Sequence, residues 1–312
     1  MNTSNTSANF RERITSSRVW KRGVVKVGEW LASLLKRIIA SKIWRRKIIV
    51  LGLAILVGFI IIAALAPEIV PFEPQKMDVF NRLASPSFTH FFGTDKVGRD
   101  IFSRVIMGSR YSVLIGLSVV LSSMLIGTLL GVLAGFTPFL DNVIMRTLDG
   151  MLAFPAILLA IAMMAALGPS VINVILALSI VYMPRIARIV RSSVLVAREY
   201  TYVEAARALG LPPYRIVLRH ILPNITSPVI VQATFVFAYA VLNEAALSFL
   251  GVGVPPTIPT WGNILSEGMD IYQIAPWYML APGAFIILIV FAINMVGDGL
   301  RDIFDPLTFE RK

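Results

Sequence analysis

Ionisable residues inside apolar stretches are where chemistry would first be sought, and Glu244, beside Asn243, is the one acid deep within such a stretch. A carboxylate in a bilayer is expensive unless it is protonated, paired or facing water, so it is a functional candidate by default. Three roles are open to it: contact with the cationic end of a solute, a pair with Arg or Lys of a partner subunit, or hydrogen-bonded helix packing. Elsewhere the residue types for catalysis do not converge. Cysteine is absent, which excludes disulfides, thiolate metal sites and a thiol nucleophile. The two histidines, His90 and His220, are predicted on opposite sides of the membrane, and no metal site is expected. A Walker A phosphate loop ends in Gly-Lys-Ser/Thr, and no Gly-Lys pair occurs anywhere. An enzyme is not expected. An ion-coupled secondary transporter remains as an alternative, but it would have chiefly Glu244 to work with.

The other group of interest is a charged island between apolar runs, Glu204 to Asn224, reading EAARALGLPPYRIVLRHILPN. Glu204, Ala205, Ala206 and Ala208 are helix formers, and Gly210 stands where a glycine just past the C-cap would end their helix. Pro212 and Pro213 can open a second helix, proline being tolerated in a first turn. Tyr214, Val217, Leu218 and Ile221 give that helix an apolar stripe, with Arg215 and Arg219 on the other side. The expected product is a helix-turn-helix bracket outside the membrane.

The elements around these residues are membrane spans. The hydrophobic fraction is 56%, mean hydropathy is +0.76 and only 15% of residues are charged, against about 25% in soluble domains. The net charge of +11 lies at the ends of apolar runs, which argues for membrane orientation and against nucleic acid. Six segments approach the length of a span: 48–66, 111–135, 143–167, 170–190, 226–250 and 278–298. Phe154-Pro155 is expected to kink the third, and Gly127, Gly131 and Gly135 suit close helix packing. Residues 1–47 carry twelve Lys or Arg against two acids, and 185–223 carry seven Arg, whereas 251–276 carry none. The positive-inside rule then places both termini and the charged island in the cytoplasm.

The predicted organisation is a basic tail over 1–47, a first span over 48–66, an extracytoplasmic segment over 67–110, a five-helix core over 111–300 and a cytoplasmic tail over 301–312. No signal-peptide pattern opens the sequence. Val27, Trp30, Leu31, Leu34, Leu35 and Ile38 recur at helical spacing, with Lys26, Lys36 and Lys42 able to reach lipid headgroups, so the tail is expected to hold an interfacial helix. Arg146 and Asp149 are three apart on one helical face and are expected to pair.

Glu204-Ala205-Ala206, then Gly210 and Leu222-Pro223, resemble the EAA signature of permease subunits in ATP-binding-cassette importers. That family has isoleucine ten residues after the glycine; this chain has His220, with Ile221 next. Phe92-Gly93-Thr94-Asp95 and Gly98-Arg99-Asp100 resemble the start of the core in dipeptide, oligopeptide and nickel importers. Trp261-Gly262-Asn263 and the run Asn294 to Asp302 followed by Asp305-Pro306 resemble the same subgroup. Gly93 and Gly98 permit turns, Thr94 or Asp95 can cap the following helix, and Arg99 and Asp100 can form part of a local ion-pair network. Trp261 is read as an interfacial indole, or with Gly262 and Asn263 as a loop facing a binding protein. Gly297 to Asp302 is expected to finish the last helix and turn it along the cytoplasmic surface.

The resemblance implies an all-α membrane subunit with six spans, similar to the C-type permease of a type I importer in a bacterial or archaeal cytoplasmic membrane. It implies a second related permease, two ATPase domains that hold ATP and Mg, and an extracytoplasmic binding protein, with no cofactor on this chain. The coupling loop at 196–224 would dock on an ATPase, with Glu204 pairing a basic residue there. Dipeptides or oligopeptides are the expected cargo, with nickel complexes or glutathione as alternatives.

Overall fold

In hydrocarbon each backbone polar group must be satisfied within its own segment, so apolar runs of this length fold as helices. The computed structural model describes residues 47–304, and their regular structure is helical apart from one isolated bridge between Thr94 and Asp100. The expected tail helix and the Asp305-Pro306 pair lie outside the described residues. The chain divides into units 1–50 and 51–312, and the packing below belongs to the second.

Four single helices are long and apolar enough to cross a membrane: α1 (Lys47–Ile69), α2 (Ile101–Phe136), α5 (Val171–Ala197) and α10 (Trp277–Phe304). A fifth span is the run Pro213–Phe249, made of α7 (Pro213–Ile216), a π turn (Val217–Ile221) and α8 (Leu222–Phe249). Between these lie α3 (Pro138–Leu152), α4 (Ala156–Leu167), α6 (Thr201–Ala208) and α9 (Trp261–Gly268).

The third apolar segment breaks where a kink was predicted. α3 and α4 meet at 93°, because Pro155 is extended (φ −55°, ψ 131°) and proline drives the residue before it out of helical geometry. The 12 residues of α4 reach only about 18 Å, short of a core of about 30 Å. The packing of α2 on α5 nevertheless requires a crossing here. Gly127 faces Ile186, Gly131 faces Val190 and Gly135 faces Val194, so the two helices run parallel. Parallel neighbours joined in sequence need a return across the layer, and α3 with α4 supplies it as the sixth crossing.

This glycine stripe fixes how close α2 and α5 approach. A Cβ on Gly131 would lie 2.5 Å from the Ala187 carbonyl oxygen and 2.7 Å from Val190 Cβ. Gly131→Val is expected to cost about 1–3 kcal/mol through overpacking, read as a lower thermal midpoint in detergent. Gly150→Val is the control, since nothing lies within 4 Å of its Cβ position.

α8 runs antiparallel to α2: Glu244 meets Ser112, and Gly116 meets Phe237 and Val241. Phe59 of α1, Trp261 of α9 and Phe285 of α10 pack edge to face with centroids 5.6–6.1 Å apart, which joins three helices at one end. α10 does not turn at Gly297. It continues to Phe304, and Gly297 instead lets α10 close on Thr234, whose Oγ1 a Cβ would strike.

Candidate functional site

At the end of the bundle where α5 stops and α8 begins, α6 forms the first arm of the bracket. Its C-terminus is a Schellman cap: the Leu211 N–H bonds the Ala206 carbonyl at 3.2 Å and the Gly210 N–H bonds Arg207 at 3.0 Å. Gly210 takes φ +73°, a left-handed conformation that a side chain would strain. Val203 and Ala206 are buried, as are Ile216 and Ile221 of the second arm. Glu204, Ala205, Arg207, Ala208 and Gly210 are exposed.

The π turn gathers the extra residue before Pro223, which lacks an N–H; the Leu222 N–H reaches back to the Val217 carbonyl. Leu222 and Pro223 then open α8. Asn224 donates to the Tyr202 hydroxyl at 3.0 Å and ties the arms together. The predicted apolar stripe is only half right. Val217 and Ile221 face inward, but Tyr214 and Leu218 are 62% and 63% exposed, and Leu209 is 79% exposed. The second arm is therefore partly turned outward and shows solvent an apolar surface beside Glu204 and Arg207.

At the opposite end, residues 70–100 wrap the start of α2. Asp95 Oδ1 accepts the Val97 and Arg99 N–H groups at 2.8 and 2.9 Å, and Oδ2 accepts Arg99 Nε at 2.5 Å and Arg104 at 3.0 Å. Arg104, fully buried, also binds both oxygens of Glu267, at 2.7 and 2.8 Å, and the Tyr278 hydroxyl at 2.9 Å. Arg99 reaches Glu267 at 2.5 Å. Two arginines, two carboxylates and a tyrosine thus lock the 70–100 segment, α2, α9 and α10 together.

One sequence expectation changes here. Thr94 and Asp95 do not cap the helix; Asp100 does, accepting the Ser103 N–H at 2.7 Å. Arg99 enters a local network of the kind expected, through Asp95 and Glu267, and Asp100 meets His90 Nδ1 at 2.9 Å. Thr94 Oγ1 accepts the Ala84 N–H at 2.8 Å and donates to the Asn81 carbonyl. Gly93 and Gly98 do take left-handed turns, at φ +72° and +82°.

Two family descriptions match in sequence order. The N-terminal TM domain of oligopeptide transport permease C matches residues 33–86, and the binding-protein-dependent transport system inner membrane component matches residues 127–310. The chain belongs to the binding-protein-dependent inner membrane component family. A putative peptide transport system permease protein of Brucella suis is 47% identical over 256 residues, 82% of this chain and 86% of that protein. The dipeptide transport system permease protein of Alkalihalophilus pseudofirmus is 46% identical over 258 residues, covering 82% and 85%. An inward-facing structure of the MetNI methionine ABC transporter shares the fold, at TM-score 0.55 and 22% identity over 65% of this chain and 97% of that one.

In this inner membrane component, Glu244 is not available to a solute or to another subunit. It is fully buried, with Ser248 donating to it at 2.9 Å and Ser112 at 3.2 Å. It joins α2 to α8, and Ser112 in turn accepts the Trp261 N–H at the start of α9, which is the packing role. Trp261, Gly262 and Asn263 cannot face a binding protein in this conformation, and Trp261 is not interfacial. The Trp261 indole is fully buried and donates to the Val105 carbonyl at 3.1 Å. Gly262 lies against the Ala245 backbone, and Asn263 Nδ2 bonds the carbonyls of Val254, Pro255 and Ile258.

Asp149 pairs with Arg188 at 2.5 Å and Asp141 with Arg191, so the expected Arg146–Asp149 pair does not form. Cross-helix partners on α5 win because α3 lies across its end. Asn243 donates to the Tyr182 hydroxyl at 2.6 Å and lies near Arg185, a residue that sequence reasoning missed. Its signal was a positive charge inside the predicted 170–190 span, masked by its inclusion among the basic residues that set orientation.

The cluster of Arg99, Arg104 and Glu267 makes a pH prediction. Burial raises the Glu267 carboxyl, but the Arg104 hydrogen bonds and charge, with Tyr278 and Arg99, outweigh it and hold the group below its ordinary value. A depressed folded value gives stability that is present above the unfolded carboxylate value and lost as pH falls through the folded one. The thermal midpoint of the purified protein is expected to drop on acidification below the ordinary carboxylate range. Glu267→Gln should start lower at neutral pH and flatten that drop.

Proposed function

We propose that this chain is the permease subunit of an ATP-driven, binding-protein-dependent importer of dipeptides or oligopeptides, with the bracket at 201–221 as its contact to an ATPase subunit. The observation that carries the reading is that bracket: a braced turn presenting Leu209, Tyr214 and Leu218 with Glu204 and Arg207 to solvent. Exposed apolar residues beside charges are what a docking surface requires. The peptide transport descriptions of the relatives support the cargo. Both termini and the bracket lie in the cytoplasm on this reading, supported by the arginines of 185–223 and the lack of Lys and Arg in 251–276.

A second related permease completes the pore, and two ATPase domains hold ATP and Mg. Closure of the ATPases moves the brackets and switches the pore between inward-facing and outward-facing states by rigid-body motion. An extracytoplasmic binding protein delivers the solute. With Trp261 to Asn263 buried, its contact falls to exposed Phe80, Phe88 and Tyr272.

Because the chain has no cysteine, a single Leu209→Cys or Tyr214→Cys substitution gives an unambiguous cross-linking site. Either is expected to cross-link to the ATPase in the complete assembly, and to react with impermeant maleimide only in inside-out vesicles when the ATPase is removed. Labelling from the outside, or no cross-link in an assembly that hydrolyses ATP, would contradict the reading.

A further inference from the structure

Most of the charged groups described so far sit toward the two ends of the helices. Arg185 lies further in, 14 residues after Val171 and 12 before Ala197 on α5, or about 21 and 18 Å along the axis. Its guanidinium carbon is 5.6 Å from the centroid of the Tyr182 ring and 5.2 Å from that of Tyr239, and the two rings stack at 18°. Asn243 holds the pair in place, donating to the Tyr182 hydroxyl at 2.6 Å and to the Tyr239 carbonyl at 2.9 Å. The ion pairs among the described residues take Arg188, Arg191 and Arg198 but leave Arg185 without a carboxylate. It is half-buried.

An arginine inside a span is always charged, and in membrane proteins such a residue faces a water-filled path or a partner, not lipid. The same two helix faces continue toward the bracket as a cleft of about 490 Å³, apolar over most of its lining but carrying Ser192 and Ser193 on α5, Ser227 and Gln232 on α8 and Arg301 on α10. Arg185 leads to Ile189 and Ser192 by helical steps, and Tyr239 leads to Phe235 and Gln232 in the same way. The arginine therefore stands one helical turn beyond the inner end of a cleft that carries polar groups and opens where solute would leave.

We propose that Arg185, braced by Tyr182, Tyr239 and Asn243, is a carboxylate-binding point on the translocation path and that it takes the terminal carboxylate of the transported solute. This rests on the peptide reading above. A guanidinium offers parallel N–H donors that match a carboxylate's two oxygens, and ring stacking fixes its plane while leaving those donors unused. A conducting site must also release its occupant, which suits a charge held by aromatic faces better than one in a permanent ion pair. A carboxylate from the second permease has the same chemistry, but it would need no cleft leading away from it.

The test uses the complete assembly in proteoliposomes, with ATPases and binding protein. Its probes are a peptide with a free C-terminus and the amidated analogue, chosen so that the binding protein holds both equally. Wild type is expected to take up the free acid at least tenfold faster than the amide. Arg185→Gln should reduce acid uptake about tenfold and leave amide uptake unchanged, with Arg185→Lys between. Equal effects on both peptides, or none, would overturn the assignment. So would loss of the second permease on co-purification of Arg185→Gln, which would place the carboxylate at the subunit interface. A wild-type assembly that takes up neither peptide contradicts the peptide reading, and this proposal with it.

Discussion

Truncating Arg104 to alanine is expected to remove most of the folded protein from the membrane. The side chain is fully buried and holds Asp95, Glu267 and Tyr278 at 2.7–3.0 Å. Removing it leaves Glu267 with Arg99 as its one cation beside the Tyr278 hydroxyl and Tyr278 without a cation, and breaking a buried pair on one side costs about 3–5 kcal/mol. That is a large share of a total stability of about 5–15 kcal/mol. Arg104→Lys should recover only part, because one ammonium cannot match both Glu267 oxygens and Asp95 at once. Replacing both partners, as in Arg104→Gln with Glu267→Gln, should cost less than Arg104→Ala alone, since no charge is then stranded between them. Membrane abundance and thermal midpoint in detergent would read all three.

The bracket should behave in the opposite way, losing transport without losing the protein. Glu204 is exposed, with no ion pair among the described residues, so Glu204→Lys leaves the core intact while reversing the charge offered to the ATPase. ATP-driven uptake is expected to fall about 5- to 150-fold, the range of ordinary coupling free energies. Gly210→Val attacks the same bracket through its backbone. Forcing a β-branched residue to φ +73° costs about 1–2 kcal/mol, and it opens the cap that holds Leu211 to Ala206. Gly210→Asn should be milder, because asparagine tolerates that conformation. Normal abundance with collapsed uptake would mark both variants as uncoupled. Collapsed abundance would make the bracket part of the fold.

What the sequence discloses and what it hides divide along sequence separation. The Gly210 cap was legible because a helix of alanines followed by glycine and two prolines carries its own stop signal. The apolar runs were legible by length, and Gly127, Gly131 and Gly135 by their spacing. The break at Ala153–Pro155 was not, since proline in a span is equally compatible with a kink; only the parallel packing of α2 on α5 decides it. Arg104 and Glu267 lie 163 residues apart, so no local pattern predicts that they meet. Glu244 was visible as an unusual acid, but its burial depends on Ser112, 132 residues away. Trp261 misled because an indole suits an interface as well as a core. Arg185 was hidden by the orientation count.

Solute uptake by the complete assembly in proteoliposomes tests the central claim most directly. Di- and oligopeptides would be supplied with and without ATP, ATPase and binding protein, comparing wild type, Glu204→Lys and Glu244→Gln. Accumulation is expected only when all three are present, strongly reduced by Glu204→Lys. It should be largely kept by Glu244→Gln, because the amide oxygen still accepts from one serine and the amide N–H donates to the other hydroxyl, which can turn to accept it. Uptake driven by an ion gradient without ATPase or binding protein, abolished by Glu244→Gln and indifferent to Glu204→Lys, would contradict it.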